Sequence, residues 1–229
     1  MTEFELIRKY FTRPARHAAL GIGDDAALLK NVPGVELAVS TDMLASGTHF
    51  FPDADPFLLG HKALAVNLSD MAAMGAQPCW ALLSLALPEV NEDWLEQFSA
   101  GFFALANSFD VELVGGDTTR GPLNICVTII GQVPQGAALK RDAAKPGDDI
   151  WISGELGGAA LALAHMTGKA QLDEAAFSSC AARLHQPMPR VALGLALRGI
   201  AHGAIDISEG CWQIWGISWS ARIPVPACL

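Results

Sequence analysis

Positive charge is scarce in this sequence. Fifteen Lys and Arg stand against 24 Asp and Glu, a formal net charge of −9 with the histidines neutral. A nucleic-acid partner is not expected, because phosphate backbones reward clustered basic side chains. Cysteine is thin as well: Cys79, Cys126, Cys180, Cys211 and Cys228 are odd in number and never spaced C-x-x-C. That argues against a disulfide frame or a zinc site and for buried thiols. No apolar run approaches the roughly 18 residues of a membrane span, and no basic stretch followed by an apolar run opens the chain, so a cytoplasmic protein is expected. Also missing is G-x-x-x-x-G-K-[ST], which excludes a Walker-type grip on nucleotide. Core material is plentiful: 51% of the 229 residues are hydrophobic, enough for one large domain or two small ones.

The pattern along the chain is that of an α/β (α+β) protein. VELAVSTDML (35–44) reads as a strand that ends where Ser40, Thr41 and Asp42 begin, placing polar groups at its carboxyl end. Asp55-Pro56 is a cap followed by proline at the first helical position, and the helix it opens runs to Gly75 with Asp70 in its last turns. Asn91 followed by Glu92 and Asp93 starts a second helix reaching about Phe109. VELVGGDTTRG (111–121) reads as a strand breaking into a glycine turn, answered by the strand NICVTIIGQV (124–133). KPGD (145–148) marks a joint, after which DDIWISGELGGAALALAHM reads as strand, glycine turn and helix. A domain boundary is expected near 135–147, with residues 1–140 as the first domain and 141–208 as the start of a second.

Acidic residues cluster at turns and helix ends: Asp24 and Asp25 in GIGDD, Asp42 in STD, Asp70 in NLSD, Asp117 in GGD, and Asp206 with Ser208 and Glu209 in DISE. Singly, Asp beside Gly is ordinary turn chemistry. Jointly, carboxylates and hydroxyls are hard oxygen ligands suited to Mg²⁺, which also retains waters and substrate phosphates. GELGG (154–158) fits either a phosphate cradle at a helix start or a plain strand-to-helix turn. His49 in SGTHF fits either a ligand contact or a satisfied packing residue.

These stretches resemble one family. GIGDDAALL, STDML, GTHF, HKALAVNLSDMAAMGAQP, LVGGDTTRGP, KPGD and AIDIS together resemble the thiamine-monophosphate kinases, whose superfamily includes aminoimidazole ribonucleotide synthetase and selenophosphate synthetase. The resemblance runs from about Phe4 to Gly210. It implies a two-domain fold of the aminoimidazole ribonucleotide synthetase type and transfer of the γ-phosphoryl of ATP to thiamine monophosphate, giving thiamine diphosphate. It further implies several Mg²⁺ ions and a homodimer formed through the N-terminal domain. By matching position, Asp25, Ser40, Thr41, Asp42, Asp70, Asp117 and Asp206 are the metal positions, and Glu209 joins them from the DISE cluster. Gly116, Asp117, Arg141 and Ser208 match ATP contacts, and His49 a substrate contact. No general base is expected: a phosphate monoester has a second pKa near about 6, so the attacking oxygen is already anionic. Sister readings are a catalytically silent nucleotide-binding or dimerisation module and another ATP-dependent synthetase of the superfamily.

The last twenty residues depart from this pattern. They hold Trp212, Trp215, Trp219, Cys211 and Cys228, no acidic residue and one charge, Arg222. The family expects Asp-Gly-Leu after AIDIS, then roughly a further hundred residues. Losing one base from GAC GGG TTG CTG gives GAG GGT TGC TGG, which encodes Glu-Gly-Cys-Trp as found at 209–212. Moving the frame back by one base turns every Trp and Cys codon of this stretch into one for Leu, Met or Val, and the result is helical in spacing. Residues 209–229 are therefore read as an out-of-frame tail on a truncated chain, in which the kinase activity is expected to be impaired.

Overall fold

The computed structural model describes residues 2–30 and 32–207. The expectation of an aberrant tail, with Ser208 and Glu209, lies outside the described residues.

A short helix α1 (Glu3–Leu6) continues as a π-helical turn, Ile7–Phe11. There follow β1 (Val35–Ala45), α2 (Pro56–Ala73), β2 (Gln77–Leu87), α3 (Glu92–Ser108), β3 (Glu112–Arg120) and β4 (Asn124–Pro134), and then α4 (Gly158–Met166), α5 (Glu174–His185) and α6 (Val191–Ala196). The four strands form one mixed sheet in the order β1-β4-β2-β3, antiparallel except for the β2–β3 pair. Mixed α and β structure is the class the sequence implies. No helix among the described residues is long and apolar enough to cross a membrane.

Both central helices begin as their sequences dictate. Asp55 Oδ1 accepts from Leu58 N–H at 3.0 Å with Pro56 in the first turn, and Asn91 Oδ1 accepts from Trp94 N–H at 3.0 Å, each occupying a donor that the helix itself leaves unpaired. The two helices cover one face of the sheet. Leu64 and Leu68 of α2, Leu95, Phe98 and Phe102 of α3, and Leu83, Leu85, Ile125 and Ile129 of the strands close the main core. Full burial of each such side chain stabilises by about 1.5–3 kcal/mol. Helix α2 meets α3 backbone to backbone: a Cβ on Gly60 would stand 2.1 Å from Phe98 O, and one on Gly101 would stand 1.9 Å from Phe57 O.

Three local expectations are corrected. Strand β1 does not stop at Ser40 but carries Ser40–Asp42 through its middle, because the ladder with β4 continues to Ala45↔Asn124. Strand β4 pairs with β1 and β2 rather than answering β3, and β3 extends through the glycines to Arg120 as the parallel partner of β2. DDIWISG is not a strand. Ile150, Trp151 and Ile152 are exposed and no described residue pairs with them, and a strand without a partner has no ladder to hold it. Between Gly75 and Asn91 the sequence reading named no element; β2 fills that gap.

The chain before β1 is tied to the sheet edge by one buried carboxylate. Glu112 on β3 accepts from the N–H groups of Arg16, His17 (2.7 Å) and Ala18 (2.9 Å). Burial alone would raise its pKa, but the three amides, with His17 nearby, outweigh burial and hold the carboxyl below the ordinary glutamate range. A depressed carboxylate stabilises the fold fully above its unfolded pKa of about 4.3, and that contribution is lost as pH falls through the lower folded value.

Two outcomes follow. Gly101→Ala is expected to destabilise the fold by at least about 1–3 kcal/mol in chemical denaturation, since the intruding methyl meets backbone. Glu112→Gln is expected to lower stability by about 1–3 kcal/mol at pH 7; denaturation repeated across pH should show the gap to the parent protein shrinking below about pH 4.3.

Candidate active site

Alternation along β1 decides which side chains reach the helix-covered side of the sheet. Residues two apart share a face, so Ser40 and Asp42 point with core residues Ala38 and Leu44, while Leu37, Val39, Thr41 and Met43 point the other way. Ser40 and Asp42 thus meet the C-terminal part of α2, where Ser40 Oγ–H donates to Asp70 Oδ2 at 2.5 Å. Thr41 is turned away: its hydroxyl donates to Val127 O at 3.1 Å and lies 2.6 Å from Thr128 Oγ1. Of Thr41, only the main chain is available to the Asp42 side.

Asp206 joins this pair from the far end of the described chain. Its carboxyl is pushed up, first by burial and then by the charge of Asp70; the charge of Asp42 adds to this, while its own backbone N–H and Arg141 act in the opposite direction. Asp42 is raised for the same reasons, burial first and Asp70 second, with His49 opposing. Ser40 and Asp70 are thus joined by a hydrogen bond, Asp42 and Asp206 lie within electrostatic reach of Asp70, and His49 and Arg141 act on Asp42 and Asp206 respectively. Segment 203–206 is seated here by Gly203, where a Cβ would stand 2.4 Å from Lys140 O, next to Arg141.

The remaining sequence candidates are not drawn into this cluster. Asp25 is exposed, and its side chain makes no hydrogen bond or ion pair among the described residues. Asp117 is exposed on β3 opposite Ser84. Gly116 stands one residue nearer: the register runs Asp42↔Val127, Val127↔Leu83, Leu83↔Gly116, one row across all four strands. Its φ of 146° and the 1.8 Å that would separate a Cβ from Leu83 O require glycine there.

His49 sits in a tight turn after β1. Gly47 N–H donates to Phe50 O at 2.8 Å, His49 N–H to Ala45 O at 3.0 Å, and Ala45 N–H to His49 Nδ1 at 3.0 Å. With the Nδ1 lone pair so engaged, the neutral ring carries its proton on Nε2 and offers it outward. Beside the turn lies a cavity of about 250 Å³ walled by Phe50, Phe51, Leu58 and Leu163, with Lys62 and His185 at its polar part. The sequence reading named neither. The signal for Lys62 was present: Lys62 and Asp70 are the only Asp, Glu, Lys or Arg in the 18 residues of α2, and a charge in an otherwise apolar helix asks for a reason. His185, on a short amphipathic helix, carries no such signal.

The donors suit magnesium. Among the described residues no three His, Cys, Asp or Glu groups form a ready chelating set. Mg²⁺ instead takes one or two carboxylates and completes its shell with water and phosphate oxygens. Partly buried Asp42 and Asp206, raised first by burial and then by the charge of Asp70, are groups whose desolvation and repulsion a divalent cation would relieve.

Comparison with known proteins agrees with this geometry. Residues 23–133 match the family model described as AIR synthase related protein, N-terminal domain. The chain is 52% identical over 214 residues to thiamine-monophosphate kinase of Salmonella typhimurium, covering 91% of this chain and 65% of that one. It is 36% identical over 219 residues to the enzyme of that name from Bacillus subtilis, covering 92% of this chain and 67% of that one. Among solved structures, thiamine-monophosphate kinase from Stenotrophomonas maltophilia superposes with a TM-score of 0.83 at 50% identity, over 90% of this chain and 66% of that one. AaThiL complexed with AMPPCP and TMP gives 0.77 at 28% identity, over 84% and 62%. The chain thus spans about 65% of the length of the first of these relatives. On this identity and coverage, the chain belongs to the thiamine-monophosphate kinase family.

Proposed function

We propose that this chain carries the metal- and nucleotide-binding part of a kinase that transfers the γ-phosphoryl of ATP to thiamine monophosphate. The observation that carries the reading is the Ser40–Asp70 hydrogen bond joining β1 to α2, with Asp42 and Asp206, from separate stretches of sequence, half-buried within electrostatic reach of Asp70. The substrates are supported by the family and by the relative bound to AMPPCP and TMP. Residues 1–140 form the nucleotide- and metal-binding domain in this reading, and the residues after them open a second.

Phosphoryl transfer between two anions asks for charge neutralisation and alignment rather than covalent help. Asp42, Asp70 and Asp206, with Ser40 holding the Asp70 carboxylate, would bind Mg²⁺, which when present supplies positive charge to the phosphate oxygens. Asp25, Asp117 and the main chain of Thr41 are kept as further metal positions on the family match alone. Gly116 is kept as an ATP contact on the family match alone, and Arg141 presents a fixed cation. His49 offers Nε2–H to the anionic acceptor substrate. No side chain takes a proton from the nucleophile, whose second pKa is near about 6.

A homodimer is part of the reading. On the sheet face away from α2 and α3, Leu37, Val39 and Met43 are 51%, 62% and 58% exposed. An apolar stripe on an uncovered sheet face is a feature that a second copy would bury.

Two experiments test these points. Asp42→Asn is expected to lower thiamine diphosphate formation by at least about 10²-fold and to weaken Mg²⁺-dependent ATP binding while thermal unfolding stays cooperative. Thr41→Val, altering only the hydroxyl on the other face, is expected to leave metal-dependent binding unchanged. Near-normal turnover by Asp42→Asn would remove the metal assignment, and a parent chain that binds ATP with Mg²⁺ yet forms no product would favour the silent nucleotide-binding module. For the dimer, Val39→Lys is expected to shift sedimentation toward monomer; an unchanged sedimentation coefficient would place the interface elsewhere.

A further inference from the structure

Lys62 is a half-buried cation at the edge of the cavity beside the Gly47–Phe50 turn. Burial pushes its ammonium below the ordinary lysine range. Among the described residues it makes no ion pair. Asp55, which also lines the cavity, is engaged by the cap of α2, and His185 is held below its ordinary range, by burial first and by the Lys62 charge second, with Asp55 opposing. Among the described residues the one hydrogen bond of the Lys62 side chain is to a neutral acceptor: Nζ donates to His49 O at 3.1 Å.

A long side chain that gives up water and rotamer freedom for one carbonyl needs an explanation beyond packing, because exposed lysines ordinarily keep the head in solvent. The carbonyl it holds belongs to the residue whose ring accepts from Ala45 N–H. The two contacts fix His49 at the ring and at the following peptide. That leaves Nε2–H as the free donor of an otherwise immobilised residue.

We propose that Lys62 is a positioning residue for His49: by donating to the His49 carbonyl it locks the Gly47–Phe50 turn so that Nε2–H faces the anionic substrate. This rests on the reading of His49 as a substrate contact given above. Among the described residues Lys62 makes no hydrogen bond or ion pair with Asp42, Asp70 or Arg141, so its effect is expected to fall on the acceptor substrate rather than on ATP. Its geometric service requires a donor of lysine length, so arginine substitutes in part and methionine, which keeps the apolar stem and loses the donor, does not.

The test uses the full chain, Lys62→Met and Lys62→Arg. Long-range ¹⁵N–¹H correlation of the histidine rings at neutral pH should show His49 of the parent protein as the Nε2–H tautomer, Lys62→Met with averaged nitrogen shifts, and Lys62→Arg restored toward the parent. By calorimetry, Lys62→Met should weaken thiamine monophosphate binding about tenfold, the size of one ordinary hydrogen bond, and leave Mg-ATP binding unchanged. If Lys62→Met does not fold, Lys62→Gln takes its place with the same readouts. An unaltered His49 spectrum together with unaltered thiamine monophosphate affinity would overturn the proposal, as would equal loss of both ligands in a folded variant. Should the parent chain bind no thiamine monophosphate while the tautomer shifts as described, the substrate reading of His49 fails and the positioning by Lys62 stands.

Discussion

The close approach of α2 to its neighbours is the constraint on which the rest depends. Gly60 and Gly101 bring α2 and α3 into backbone contact, and the fully buried Leu64 and Leu68 press α2 onto the sheet. A helix held this tightly cannot roll or slide without opening voids in a core packed like a molecular crystal. Its two charges are therefore delivered to fixed places, Asp70 against Ser40 of β1 and Lys62 against the carbonyl of His49.

The acidic cluster works against the fold that creates it. Asp42 and Asp206 are partly buried near Asp70, and their raised pKa values record the penalty of desolvation and like charge. A fold that needed only stability would replace such groups with apolar ones. In the proposed reading these groups belong to the functional site, where charge supplied by a metal and its phosphates would turn the repulsion into attraction. By contrast Glu112, also a buried carboxylate, receives three backbone N–H bonds and sits below its ordinary range. Glu112 is thus satisfied from within the chain, while burial and like charge leave Asp42 and Asp206 raised.

Much of this was legible in the sequence where signals are local. Asp55-Pro56 and Asn91 mark helix starts by capping chemistry, and both caps form. The family motifs named Asp42, Asp70 and Asp206 although these are far apart along the chain. What was not legible depends on pairing. QPCWALLSLAL of β2 is apolar on both faces, since Leu83 and Leu85 enter the main core while Trp80 and Leu82 pack on the other side; such a run has no period to read. The orientation of Thr41 follows only once the ladder is known to continue past Ser40. DDIWISG has the composition of a strand, yet composition cannot supply the neighbour that would make it one. Lys62 sits inside the motif HKALAVNLSDMAAMGAQP, and its contact with the His49 carbonyl depends on the fold of the turn after β1, which the motif does not encode.

The claim that Asp42, Asp70 and Asp206 form a metal-dependent nucleotide site is tested most directly by titrating the chain with Mn²⁺ as a paramagnetic stand-in for Mg²⁺, following the free-ion resonance with and without a non-hydrolysable ATP analogue. Mn²⁺ should bind tightly only with the analogue present, and the analogue should bind only with the metal present. Analogue binding of equal affinity in the presence of a chelator, or no uptake of Mn²⁺ under either condition, would contradict the account.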